Sequence, residues 1–143
     1  MGTATAVSAI NLLAVIIAAV SAFFVGGLWY GPLFGRAWMD AWNFTEEQLA
    51  TRNMPMVFGV SLILSFIAAL NLAMFIGAEA DLAFGVFAGF AAGLGWVTAF
   101  LGILYLFEQR SLKLFMINGG YCVVALTVMG AILGAMLALN WIE

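Results

Sequence analysis

Histidine is absent from this sequence of 143 residues, and cysteine occurs once, as Cys122. Without histidine the chain lacks the usual axial ligand of haem, the commonest metal ligand and the commonest general base. A single cysteine forms no intrachain disulfide and no multi-thiolate metal or iron–sulfur site. We therefore expect no catalytic residues, no metal site and no cofactor, and we expect that the protein is not an enzyme.

Charge is also scarce, because charged residues make up 8% of the chain while hydrophobic residues make up 66%. Soluble domains carry roughly 25% charged residues, so this sequence cannot build a water-soluble surface. The apolar content equally excludes a disordered chain. The chain has 4 basic residues in total, which leaves no footprint for nucleic acid. The composition indicates that the partner is the lipid bilayer.

Four long apolar segments contain no Asp, Glu, Lys or Arg, and they run over residues 6–30, 55–77, 82–107 and 114–141. Each reaches the roughly 20 residues that a helix needs to cross the hydrocarbon core. Barrel strands are shorter and alternate in hydropathy, so they do not fit these segments. The sequence predicts an all-α, polytopic bundle of four transmembrane helices, which forms a single membrane domain over residues 1–143.

The connection over residues 31–54 has a helical pattern of its own. Phe34, Trp38 and Trp42 recur every four residues, which predicts a short interfacial helix lying with its aromatic side against lipid. Arg36 and Asp40 are also four residues apart, which predicts a charged pair on another face. The expected interfacial anchors are Trp29, Tyr30, Phe34, Trp38 and Trp42.

Three local signals mark the boundaries of these elements. The pair Gly31-Pro32 is expected to end the first span and turn the chain. The segment from Thr45 to Gln48 reads as a capping box that begins a second short helix. Pro55 occupies a position where a first-turn proline opens the second span.

The basic residues are confined to two connections, with Arg36 and Arg52 in the first and Arg110 and Lys113 in the third. Cytoplasmic loops of membrane proteins carry an excess of Lys and Arg. The first and third connections are therefore expected in the cytoplasm, and both termini are expected outside.

Small residues recur at four-residue spacing in every span, which allows helix backbones to approach closely in lipid. We expect these stripes to pack the bundle of one chain. The alternative is that the stripe of Gly85, Gly89 and Gly93 forms an oligomer contact. The stripes of the first, third and fourth spans are Ala14, Ala18, Ala22 and Gly26; Gly85, Gly89 and Gly93; and Gly130 and Gly134.

Polar side chains within the spans are few. Asn11 and Asn71 lie at similar depths from the outer side, which predicts a hydrogen bond between the first and second spans. The hydroxyl side chains either bond to carbonyls of their own helix or line a neutral pore. These residues are Ser61, Ser65, Thr98 and Thr127.

Two stretches together carry a family resemblance. One reads LWYGPLFGRAWM at residues 28–39, and the other begins LFE at residues 106–108 and ends MGAILG at residues 129–134. The chain resembles domain-of-unknown-function family 1761, which comprises small bacterial membrane proteins with several spans. The resemblance covers nearly the whole chain. It implies a bacterial inner-membrane location and the same number of helices, and it implies no established activity.

Polar residues gather on the expected cytoplasmic side. They either form an ion-pair network that locks the bundle, or they line a pocket for an anionic or polar headgroup. The pocket would use Arg36, Glu108, Arg110, Asn118 and Tyr121. The whole cluster comprises Arg36, Asp40, Glu108, Arg110, Lys113, Asn118 and Tyr121.

Three function classes remain after these exclusions. We expect an accessory, assembly or scaffold component, either a homo-oligomer or part of a larger membrane complex, because packing stripes are abundant. The alternative is an oligomeric transporter or channel for a small solute. Proton-coupled carriers usually place a carboxylate within a span, and no span has one. A lipid enzyme using Glu108 as acid and base is disfavoured, because no second catalytic group accompanies it. A transporter requires a cavity that reaches the middle of the membrane.

Overall fold

The computed structural model describes residues 12–77 and 80–139. Within these residues the chain forms helices and no strand, and four helices are long and apolar enough to cross a membrane. The predicted all-α bundle of four spans is therefore confirmed, and the protein is a multi-pass membrane protein. The predicted beginning of the first span, its Asn11, and the predicted end of the fourth span lie outside the described residues.

The helices of the described residues are numbered α1 to α6 in chain order, and two of them contain a π-helical segment. The transmembrane helices are α1, α4, α5 and α6, while α2 and α3 lie in the first connection. Helix α1 covers Leu12–Leu28 and continues as a π-helical turn over Trp29–Leu33; α2 covers Gly35–Trp42; α3 covers Glu46–Ala50; α4 covers Met54–Ile76; α5 covers Leu82–Ala92, a π-helical segment over Gly93–Thr98, and Ala99–Phe107; and α6 covers Leu112–Leu139.

The end of α1 differs from the sequence prediction, because the helix does not stop at Gly31-Pro32 but runs on to Leu33. The N–H of Phe34 donates to the carbonyl of Trp29 at 2.8 Å, five residues back. Proline has no N–H and clashes with the preceding turn of an α-helix, and the wider π-turn accommodates both defects. The chain then turns at Gly35, where a Cβ would lie 2.6 Å from the carbonyl oxygen of Tyr30. Only glycine fits this corner.

Side chains in the connections cap the helices that follow them, as the sequence indicates. The capping box of α3 is present: the N–H of Thr45 donates to Gln48 Oε1 at 2.9 Å, and the N–H of Gln48 donates to Thr45 Oγ1 at 3.2 Å. Asn53 caps α4, with Pro55 in the first turn, and Asp81 caps α5. These caps define where three of the helices begin.

The interface between α5 and α6 is the most extensive in the bundle, and it is built on glycine. Gly85 and Gly130 each lie directly against the other's carbonyl, and a Cβ on Gly89 would overlap the carbonyl oxygen of Leu126. A Cβ on Gly93 would lie 2.9 Å from Val123 Cα. The stripe on α5 is thus filled by α6 of the same chain, as the intrachain interpretation expects, and is not open to a second copy.

The π-helical segment in α5 extends this contact face beyond Gly93. Thr98 follows five residues later, and its hydroxyl donates to the carbonyl of Gly119 on α6 at 3.2 Å. Gly102 follows after four more residues, beneath the ring of Phe115, which a Cβ would approach to 3.1 Å. A π-turn absorbs one additional residue, so both halves of α5 present the same side to α6.

Helix α4 packs tightly only in its second half. Its buried residues are Ala69, Leu72, Ala73 and Ile76, and none of them precedes Ala69. They join a core with the alanine stripe of α1, of which Ala14, Ala18 and Ala22 are buried. The first half of α4 therefore diverges from the bundle at the end that carries residues 34–53 and 108–111, which is called the loop end below.

Asn71 lies on the exposed side of α4, near the opposite end. Its amide nitrogen donates to the carbonyl of Ile67 at 2.8 Å, one turn back in the same helix. The predicted partner, Asn11, lies outside the described residues. The structure thus shows a local hydrogen bond for Asn71 and leaves the interhelical bond a prediction.

Candidate functional site

The divergence of α4 leaves an open cavity of about 810 Å³ at the loop end. Helices α1, α2, α4, α5 and α6 all contribute to its lining. It extends from Arg52 in the connection to Ser65 on α4. From Met54 to Ser65 the helix rises about 16 Å, which is about half of a 30 Å hydrocarbon core. The volume lies within the range of small-molecule sites, about 300 to 1,000 Å³.

The walls of the cavity are mostly apolar and differ between its two sides. Phe23 of α1 and Phe58 of α4 close one side, with their ring centroids 6.2 Å apart. Leu101 and Tyr105 of α5 line the other side, where the first half of α4 makes no extensive contact with residues 99–107. This arrangement indicates an opening toward the hydrocarbon of the bilayer, between α4 and α5.

A neutral hydrogen-bonded network forms the polar wall of the cavity. The Tyr30 hydroxyl donates to Asn118 Oδ1 at 2.6 Å, and Asn118 Nδ2 donates to the Tyr105 hydroxyl at 2.7 Å. Asn118 thereby joins α1 and α5 through α6. The Tyr121 hydroxyl donates to the carbonyl of Ala22 at 3.1 Å. No residue of the described part accepts the hydroxyl proton of Tyr105, which remains available to an occupant of the cavity.

Replacing Asn118 by leucine should lower the free energy of unfolding by about 1 to 2 kcal/mol, because two interhelical hydrogen bonds are lost. Unfolding by sodium dodecyl sulfate in lipid bicelles measures this change. Thr127→Val is the matched control on the same helix, because the Thr127 hydroxyl donates only to Val123 of its own helix at 2.6 Å. Equal losses in the two variants would contradict a linking role for Asn118.

The aromatic residues at the end of α1 point into the bundle. The indole N–H of Trp29 donates to the carbonyl of Ile117 at 2.8 Å, and its ring lies against Gly120, where a Cβ would approach it to 2.8 Å. The ring centroid of Phe34 lies 4.7 Å from that of Trp29. Trp29 and Tyr30, which are predicted as interfacial anchors, both bond to α6, and their position at the membrane interface stays a prediction.

Helix α2 lies across the loop end with its aromatic stripe toward the cavity. Trp38 and Trp42 both line the cavity, and the ring centroids of Trp38 and Tyr30 are 5.7 Å apart. The prediction that this stripe faces lipid is therefore wrong. The diverging half of α4 leaves apolar space beneath α2, and the aromatic side chains of α2 fill part of it.

The charged residues of the predicted cluster do not enter the cavity. Glu108 and Arg110 form an ion pair at 3.0 Å, and the guanidinium of Arg110 lies 3.7 Å from the ring centroid of Trp42. Arg36 and Asp40 are exposed, and no ion pair joins them within the described residues. Both lie on the side of α2 away from the aromatic stripe. Lys113 is exposed as well.

The headgroup pocket, which is the alternative to an ion-pair network, is accordingly not assembled from the predicted residues. Of its five residues, Asn118 and Tyr121 line the cavity, whereas Arg36, Glu108 and Arg110 do not. The predicted hydroxyl-lined pore is divided in the same way, because Ser61 and Ser65 line the cavity while Thr98 and Thr127 bond to backbone carbonyls.

The polar groups of the cavity lining are few and mostly neutral. Arg52 is the charged side chain among its described lining residues, and the other polar groups there are hydroxyls, an amide, a thiol and two indoles. Within the described residues, no group of three Cys, Asp or Glu side chains could hold a metal ion. The lining therefore offers hydrogen bonds, aromatic surface and one positive charge.

Comparison with models of known protein families gives a match. The chain matches the family model described as a protein of unknown function, DUF1761, over residues 13–134. The chain belongs to the DUF1761 family. No curated protein and no solved structure matches it. The matched range includes every residue that lines the cavity, so the cavity lies within the part of the chain that defines DUF1761 membership.

The site residues predicted from the sequence do not include three polar residues of the cavity, namely Arg52, Tyr105 and Cys122. In the sequence, Arg52 indicates only the topology of the first connection, although it directly precedes the helix cap at Asn53. Tyr105 lies two residues before the end of an apolar span, where tyrosine also serves as an ordinary interfacial residue. Its hydrogen bond to Asn118 depends on the register of α5 against α6, which hydropathy does not reveal.

Proposed function

We propose that this protein is a membrane-embedded binding protein that admits a lipid-like molecule from the bilayer into the loop-end cavity, without converting it chemically. The cavity itself carries the proposal, because it has apolar and aromatic walls and a neutral polar wall, and the first half of α4 makes no extensive contact with residues 99–107 beside it. Binding sites of this size are typically apolar with a few placed polar groups.

The half of the bundle opposite the loop end favours a binding protein rather than an open channel. Beyond Ser65, α4 packs against α1 through Ala69 and Ala73, which are buried with Ala14 and Ala18 in the same core. A water-filled path through one chain would have to cross this core. If the protein is a transporter, a carrier whose cavity reaches halfway across the membrane is therefore better supported than a neutral pore.

The proposed location is the inner membrane of a bacterium, with the loop end in the cytoplasm and both termini outside. The contact between Arg110 and Trp42 supports a common side for the two basic connections. Their basic residues are Arg36, Arg52, Arg110 and Lys113, and this charge bias favours the cytoplasmic face.

A second candidate is an accessory or scaffold role within a larger assembly. The stripes on α5 and α6 no longer support it, because they are filled within the chain. A different set of small residues does: a Cβ on Gly59 or Gly95, neither of which lines the cavity, would meet nothing within 4 Å. Such outward-facing glycines permit close approach of a helix from another chain.

Native mass spectrometry of the protein, extracted from its own membrane in mild detergent, tests both candidates. We expect one lipid-like molecule per chain to survive delipidation that removes surface lipid, because the cavity shelters it. Complete loss of lipid under the same conditions would contradict the binding proposal. A protein partner at fixed stoichiometry, without retained lipid, would favour the accessory role instead.

A further inference from the structure

Arg52 is placed at the cavity mouth with most of its hydrogen-bonding capacity unused. Its Nε donates to the carbonyl of Leu49 at 3.1 Å, which orients the guanidinium. The four N–H groups on its two terminal nitrogens have no acceptor among the described residues, and no carboxylate lies within ion-pair distance there. An arginine in this state presents a planar fork that suits carboxylate and phosphate oxygens.

No acidic residue of the described loop end forms an ion pair with Arg52. Asp40, Glu46 and Glu47 are exposed and do not line the cavity, and Glu108 is paired with Arg110. The beginning of α4 lies next to Arg52, and the positive end of a helix macrodipole adds to the local potential. Charge at the mouth is thus positive, whereas the cavity beyond it has apolar walls and neutral polar groups.

We infer that the occupant carries an anionic oxygen head, phosphate or carboxylate, bound by Arg52, with an acyl chain lying along α4 toward Ser65. This inference rests on the proposed binding function and names the ligand class of the same cavity. The apolar walls hold the chain, and the sideways opening allows the ligand to enter from the bilayer. The head stays at the level of Arg52, in the headgroup region.

Cys122 provides a reporter inside the cavity, because it lines the wall and is the single cysteine of the sequence. The protein is placed in phosphatidylcholine nanodiscs, and modification of Cys122 by N-ethylmaleimide is followed by intact mass. Dodecyl phosphate, dodecanol and inorganic phosphate are compared as protecting agents. We expect dodecyl phosphate to protect at about a fivefold lower mole fraction than dodecanol, the gain typical of one partly exposed charged pair, and inorganic phosphate not to protect.

Two variants separate a site from general attraction to a positive surface. In the Arg52→Gln variant, dodecyl phosphate should protect Cys122 no better than dodecanol does. Arg36→Gln is the matched control, because Arg36 is an exposed arginine of the same connection that does not line the cavity. The Arg36→Gln variant should behave as the wild-type protein.

The outcomes are distinct for the two levels of the proposal. Equal protection by dodecyl phosphate and dodecanol in the wild-type protein would overturn the inference of an anionic head. Lipid binding itself would remain supported. Equal losses in Arg52→Gln and Arg36→Gln would also overturn it. Protection by inorganic phosphate alone would replace the amphiphile with a free anion. If neither dodecyl compound protects Cys122, the proposed binding function itself fails.

Discussion

Replacing Gly89 by alanine is expected to lower the free energy of unfolding by about 3 kcal/mol, at the upper end of ordinary overpacking effects. The added methyl group would overlap the carbonyl oxygen of Leu126 and lie 2.8 Å from its carbonyl carbon and 3.0 Å from Thr127 Cα. All three are backbone atoms, so no side chain can rotate away. The two helices would have to separate along their whole glycine interface.

Gly95→Ala is the matched control in the same helix, because a Cβ there meets nothing within 4 Å. Its effect should be neutral or stabilising, since alanine is favoured over glycine in helices by up to about 1 kcal/mol. Reversible unfolding in bicelles measures both variants. If the two substitutions had the same effect, the close approach of α5 and α6 would not be a main source of stability.

Replacing Ser61 by tryptophan is expected to abolish retention of the cavity ligand. Ser61 lines the cavity between its mouth and Ser65, so an indole at this position occupies space that the acyl chain needs. The expected results are loss of the retained species in native mass spectrometry and at least about fivefold weaker protection of Cys122 by dodecyl phosphate, because overpacking of this kind costs about 1 to 3 kcal/mol.

Leu64→Trp controls for the added indole, because Leu64 lies on the same helix with 60% of its surface exposed and does not line the cavity. It should retain the ligand. Both variants should unfold at similar denaturant concentrations, which separates a blocked cavity from a misfolded protein. Retention of ligand by a folded Ser61→Trp variant would place the binding site elsewhere.

Composition and local sequence determined the number and type of the spans. A segment without charge that is long enough to cross hydrocarbon has no other stable state there, because every backbone polar group must be satisfied within the segment. Local capping was equally accessible: the hydrogen bonds from Thr45 to Gln48 join residues three apart. The glycine stripes also indicated close helix packing, although they did not show which helix each would meet.

The orientation of the aromatic residues was decided by tertiary structure. Aromatic residues near a span end suit both a lipid interface and a protein interior, so the pattern of Trp38 and Trp42 was compatible with either. The π-turn after Leu28 and the divergence of α4 place these side chains in the protein interior. Once that stripe faced the cavity, Arg36, on the other side of α2, was directed away from it.

The candidate site depended on the tertiary structure for the same reason. Arg52, Tyr105 and Asn118 are distant in sequence, and they line one cavity because α4, α5 and α6 meet in a particular register. A π-turn in α5 sets part of that register by adding one residue between Gly93 and Thr98. The sequence by itself determined that this is a four-span helical membrane protein, because that property follows from each segment's own contact with lipid. The cavity and its ligand chemistry follow from contacts between segments, which only the assembled bundle decides.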